Sequence, residues 1–168
     1  ADLDREHVYY VGQSFGGIYG TLLMAIDPLV RVGVLSVPGG PMVAIARESC
    51  IFRPLVIERL KQRHPPLLNG ESDFTESIPL PGEPPEREPA PGSLAIQNYF
   101  DRAEWLTQPA NPVAFAPYVR QLPLAGVGPK AVLFQWAVGD RTVSNPTTAA
   151  LLAAGQLRPG SVLFRPDV

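Results

Sequence analysis

Dense apolar runs lie at both ends of the chain, and a long proline-broken stretch separates them. At the start, His7 to Val11 is aromatic and β-branched, which predicts a short buried strand. Gly12 to Gly17 forms a glycine-rich turn. Ile18 to Ile26 follows, apolar nearly all round, and predicts a helix packed on a sheet. Asp27-Pro28 ends that helix. Val30 to Val37 predicts a second strand, closed by Pro38-Gly39-Gly40. Strand, helix and strand of these lengths make a βαβ unit and hence a parallel sheet.

Between Pro41 and about Lys130 no period is sustained for long. Val43 to Arg47 and Leu55 to Arg63 have helical spacing, and His64-Pro65-Pro66 breaks it. Leu68 to Pro91 is rich in Pro, Glu and Gly and predicts a long loop, with the acidic run Gly82 to Glu88 as its solvated part. Ser93 to Leu106 predicts a helix with Ser93 at its N-cap. Asn111 to Val119 predicts a short helix or loop. So long a structureless segment is improbable inside a compact domain, which makes an inserted cap of short helices the better expectation. Regular order returns at Ala131 to Ala137, a third strand ended by Gly139-Asp140. Pro146 to Leu157 predicts a helix with Asn145 as N-cap, and Ser161 to Phe164 a fourth strand. The expected organisation is a core of residues 1–40 and 130–168 with a mainly helical, Pro-rich cap over 41–129.

Composition narrows the function. The 168 residues suffice for one domain with a sizeable core. A net charge of −2 provides no field for nucleic acid or anionic lipid. No apolar run approaches the roughly 20 residues of a membrane span. Cys50 is the only cysteine. It cannot form an intrachain disulfide, has no Cys/His cluster of zinc-ligand spacing around it, and reads as a small buried hydrophobe. Neither a metal nor a cofactor is expected, and localisation is not readable.

The chemistry sits in Gly12-Gln13-Ser14-Phe15-Gly16, a G-x-S-x-G pattern that Gly17 extends. In a sharp strand-to-helix turn the serine backbone is strained and its hydroxyl stands clear of the sheet. Residues two before and two after must be small where strand and helix nearly touch. The helix N-terminus leaves N–H groups unpaired, and that of Phe15 would be one oxyanion donor. A buried strand before the pattern and an apolar helix after it argue against a phosphate-binding turn, whose glycine spacing differs. Asp140, at the C-terminal end of a parallel strand, stands where such sheets place catalytic groups. A carboxylate there can orient a histidine; it can equally cap a turn.

The stretch VYYVGQSFGGIYGTLLMAIDPLVRVGVL resembles the nucleophile strand, elbow, helix and next strand of α/β-hydrolase esterases and lipases. VLFQWAVGDRTVSN resembles the segment that bears the acid of their triad. The resemblance covers about forty residues at each end. It implies an α/β-hydrolase parallel sheet, Ser14 as nucleophile, Phe15 as oxyanion donor, Asp140 as acid, and a small-molecule ester or lipid-like substrate. The triad order is Ser, acid, His, yet no histidine follows Asp140. His7 lies at the start of the strand that ends at Ser14, roughly 20 Å away, and His64 lies in the expected cap. Asp167 is a lesser candidate for the acid. Truncation is the economical expectation: the chain starts at Ala1, not Met, and enters a strand almost at once, and the histidine would lie beyond Val168. Such a fragment alone would hydrolyse esters poorly, since a serine without a base is a weak nucleophile. Two alternatives stand beside the ester hydrolase: a peptidase of the prolyl-oligopeptidase kind, with the same elbow and triad order, and a non-catalytic module of the same fold. Exposed sheet edges leave homo-oligomerisation open.

Overall fold

The computed structural model describes residues 4, 6–77 and 90–165. Gly82 to Glu88 and Asp167 lie outside them. Four strands, β1 (Val8–Gln13), β2 (Val30–Ser36), β3 (Ala131–Ala137) and β4 (Ser161–Phe164), form one parallel sheet in the order β1-β2-β3-β4. Helix α1 (Phe15–Ile26) joins β1 to β2. Helices α2 (Met42–Glu48), α3 (Arg53–Lys61), α4 (Ser93–Thr107) and α5 (Pro112–Arg120) lie between β2 and β3, and α6 (Asn145–Ala154) lies between β3 and β4. The architecture is α/β, as the apolar patterning predicts.

Every crossover steps one strand further in the same direction. Right-handed crossovers that advance one way put their helices on one face of the sheet. Accordingly α5 packs against both α1 and α6, and one cluster unites the layer: Met24 and Ala25 of α1, Leu35 and Phe134 of the sheet, Ala116 of α5 and Leu151 of α6, all fully buried. Alternation and register put Tyr9, Val11, Val32, Leu133, Val162 and Phe164 on the opposite face. All six are exposed, Val11 by 76% and Phe164 by 65%. Parallel sheets are ordinarily covered on both sides.

The turn from α1 to β2 is held by polar atoms. Asp27 accepts the N–H groups of Leu29 (2.7 Å) and Val30 (3.0 Å) through one carboxylate oxygen, and these bonds hold its pKa below the usual aspartate value. The Lys130 ammonium donates to the carbonyls of Asp27 and Val30, tying the entry of β3 to that turn. Its burial lowers its pKa.

Packing divides the 41–129 interval. Residues of α3, α4 and the segment around Phe74 build a separate cluster of Leu60, Phe74, Ile96 and Phe100. Arg47 is paired with Glu76 there, and Arg53 with Asp73 at 3.0 Å. Helix α5 instead belongs to the sheet layer.

Several expected boundaries shift. Strand β1 begins at Val8, after His7, and continues to Gln13, and α1 starts directly at Phe15. Strand β2 stops at Ser36 because Val37 turns to φ 46°. Gly92 at φ 82° caps α4, so Ser93 is its first helical residue rather than its cap. Ser144, not Asn145, occupies the N-cap of α6, which ends at Ala154 before Gln156 turns to φ 49°.

Candidate active site

Ser14 joins β1 to α1 at φ 54°, ψ −118°. A non-glycine residue there is strained by about 1–3 kcal/mol, and the surroundings hold it in place. Its N–H donates to Ser36 O (2.9 Å) and its carbonyl accepts from Ile18 N–H (2.9 Å). The Tyr10 hydroxyl donates to Gly16 O at 2.7 Å, across the turn. The Ser14 side chain caps nothing in the helix. Phe15 is the first residue of α1, so its N–H is among the donors that a helix leaves unpaired.

The glycines of the motif are not equivalent. A Cβ on Gly12 would lie 2.3 Å from Gly16 O, and one on Gly17 would lie 2.7 Å from Ser36 O. A Cβ on Gly16 would meet only the Tyr10 hydroxyl, at 3.8 Å. The expectation that both positions flanking the serine must be small therefore holds for Gly12 and fails for Gly16. At the second position it is the backbone of Gly16, not the space beside it, that approaches the strand.

Ser14 opens onto a cavity of about 510 Å³. Phe15, Ile18 and Val143 line it beside the elbow. Met42 and Ile45 come from α2, Leu55, Val56 and Arg59 from α3, and Tyr99 and Phe100 from α4. The aromatic residues Trp105, Phe115, Tyr118 and Trp136 do not line it. Phe115, Tyr118 and Trp136 pack on the main core and Trp105 is exposed.

Asp140 follows β3 by three residues, past Gly139 at φ 75°. One of its carboxylate oxygens accepts the N–H groups of Thr142 (2.8 Å) and Val143 (3.0 Å). This is the turn-capping geometry, and it leaves the second oxygen without a hydrogen bond among the described residues. Asp140 does not itself line the cavity, but Val143, which it holds, does. Asn145 clamps the same turn: it accepts from Gly139 N–H (2.9 Å) and donates to Ala137 O (2.6 Å). The sequence offers Asn145 as the cap of α6, a place that Ser144 takes, and gives no sign of this bridge. Arg141 O, in the same loop, accepts from Cys50 N–H (3.2 Å) and the Cys50 thiol (3.1 Å). Cys50 is exposed at this junction, not the buried hydrophobe expected.

Neither histidine reaches the cavity. His7 lies before β1 and its Nδ1 is 2.7 Å from Asp4. His64 is exposed beyond α3. Among the described residues no helix is long and apolar enough to cross a membrane.

A parallel sheet with a strained serine where its first strand enters a helix defines an α/β fold of the hydrolase type. No protein-family model and no curated protein matches the sequence. Solved structures do. Acylaminoacyl peptidase in complex with Z-Gly-Gly-Phe-chloromethyl ketone matches with a TM-score of 0.52 and 13% identity, over 96% of this chain and 19% of its own. The uncomplexed acylaminoacyl peptidase of Pyrococcus horikoshii gives 0.51 and 13% over the same shares. A puromycin hydrolase serine-to-alanine mutant complexed with PGG gives 0.54 and 15%, over 96% of this chain and 18% of its own. Identities this low speak for the fold, and the chain spans about a fifth of the length of these proteins.

Proposed function

We propose that this chain is the nucleophile-bearing part of a serine hydrolase that acts on peptide-like acyl bonds. The observation that carries the reading is Ser14 itself, held at a strained turn with its side chain free of the helix and open to an apolar cavity. In this reading the Ser14 Oγ attacks the acyl carbon, and the Phe15 N–H donates to the oxyanion that forms. Asp140 orients the histidine that takes the serine proton, through the carboxylate oxygen that the turn leaves unused. His7 and His64 stand away from the cavity, so a histidine outside this chain serves as base. Residues of α2, α3 and α4 act as a cap over the acyl or side-chain pocket, and α5 belongs to the core.

The choice between substrates follows the structural neighbours, which are named as peptidases and a puromycin hydrolase. They favour the peptidase alternative over a carboxylic ester hydrolase of the esterase or lipase kind. The apolar walls suit an acyl chain as well as an apolar side chain, and keep ester cleavage as the second reading.

The test is labelling by a fluorophosphonate probe, of this chain and of a longer form that supplies a histidine, each beside Ser14→Ala. Labelling of the longer form that disappears with Ser14→Ala is expected, with faster turnover of an acyl-peptide anilide than of a simple acyl ester of the same chain length. No labelling of either form would overturn the reading and leave a non-catalytic module of this fold.

A further inference from the structure

The cavity beside Ser14 contains one formal charge. Apart from Ser14, Tyr99 and Arg59, the residues that line it are apolar. Its α3 wall is a single helical stripe: Phe52, Leu55, Val56 and Arg59 stand at i, i+3, i+4 and i+7. Three apolar side chains thus end in a guanidinium, over roughly 10 Å of helix at 1.5 Å per residue.

Of the four other described arginines of this unit three have partners; the fourth, Arg102 of α4, has none among the described residues but does not line the cavity. Arg47 is taken by Glu76, Arg53 by Asp73 and the Phe74 carbonyl, and Arg63 lies 5.0 Å from the centre of the Tyr99 ring. Glu58, beside Arg59 in sequence, lies 3.9 Å from Lys61. Among the described residues Arg59 has neither an ion pair nor a hydrogen bond.

We propose that the ligand of this cavity is a carboxylate on an apolar body, with the carboxylate seated on Arg59 and the body along Phe52, Leu55 and Val56. As a statement about substrate it rests on the reading of Ser14 as nucleophile; as a statement about binding it does not. A planar guanidinium matches a carboxylate with two parallel hydrogen bonds. Among the lining side chains only Ser14 and Tyr99 add polar groups, neither of them charged, so the guanidinium sets which end of the ligand lies where, against the competing Phe15 N–H at the elbow. Arg59 is exposed, as are Phe52 and Leu55, and water there moderates the gain to about tenfold in affinity, the low end for a charge-assisted hydrogen bond. The carboxylate has two sources: the free end of a short peptide, or the end of an acyl chain.

The experiment is calorimetric titration of the full chain carrying Ser14→Ala, which removes turnover, at low salt. N-acetylphenylalanine is compared with its amide, and decanoate with decanamide. At least one acid is expected to bind about tenfold more tightly than its amide, and the pair that does so identifies the source. Arg59→Gln is expected to erase the difference by lowering the acid's affinity to that of the amide, and Arg59→Lys to keep part of it. Equal binding of acid and amide in both pairs, no binding of either acid, or a preference that persists in Arg59→Gln would each overturn the proposal. Failure of Ser14 labelling, by contrast, would remove the nucleophile and leave this preference standing.

Discussion

Gly12→Ala and Gly16→Ala look alike in sequence, since each adds one methyl to a motif glycine next to Ser14. The structure separates them. At Gly12 the new Cβ would sit 2.3 Å from Gly16 O and 2.5 Å from Gly16 C. Both are backbone atoms, so no side-chain rotation relieves the contact. The elbow must open, against the Tyr10–Gly16 hydrogen bond and the Ser14–Ser36 bond that hold it. Overpacking costs about 1–3 kcal/mol where side chains can yield, and a backbone contact belongs at the top of that range. At Gly16 the Cβ meets the Tyr10 hydroxyl at 3.8 Å, an ordinary contact. Gly16 also lies inside α1, where alanine gains about 0.5–1 kcal/mol over glycine. The two substitutions therefore differ by roughly 3–4 kcal/mol. Urea unfolding followed by circular dichroism would read this as a midpoint lowered by about 1–2 M in Gly12→Ala and unchanged or raised in Gly16→Ala. Equal destabilisation by both, or the reverse order, would refute the account of the turn.

The remaining predictions concern Asp140, Glu76 and the exposed sheet face. Asp140→Ala removes the acceptor of two backbone N–H groups and is expected to lower stability by about 1–2 kcal/mol in thermal unfolding. Asp140→Asn keeps an acceptor oxygen and is expected to retain most of it, so equal losses would speak against the turn-capping role. Burial pushes the Glu76 carboxyl above its ordinary value of 4.5, with Arg47 pulling the other way. The folded state then holds this proton more tightly than the unfolded one, so its contribution is fully present below that value and is lost as pH rises through the folded pKa. Glu76→Gln should flatten that part of the stability–pH profile, and an unchanged slope between wild type and variant would contradict the sign. Val11→Lys with Phe164→Lys puts charge on two of the most exposed apolar positions of the sheet, and should reduce self-association in analytical ultracentrifugation; identical sedimentation of the two proteins at every concentration would mean that this face does not associate.

Legibility in the sequence followed the range of the forces involved. Strands β3 and β4 were readable to the residue, because Pro129 and Gly139 bound the first and Pro159-Gly160 introduces the second. The ends of β1 and β2 were less so. Each closes at a residue, Ser14 or Val37, whose positive φ comes from the packing of the elbow and not from any preference of its own. Ser14 is flagged by its neighbouring glycines, whereas a β-branched residue at φ 46° has no sequence signal, since valine is among the least suited to it. The cavity walls were hidden for a similar reason. Residue type marks Phe115 and Phe100 equally as aromatic, and only the packing of α5 into the sheet layer and of α4 into the separate cluster around Leu60 sends one to the core and the other to the pocket. The Arg59 stripe was in the sequence all along, but reading α3 from Leu55 hides Phe52 and with it the i, i+3, i+4, i+7 pattern. Local rules break at Gln156, after α6, and at Ser14 and Val37, which close β1 and β2 at one end of the sheet. That end is where an α/β sheet places its ligand, so the two departures at the strand ends point to the same end of the molecule as the cavity does.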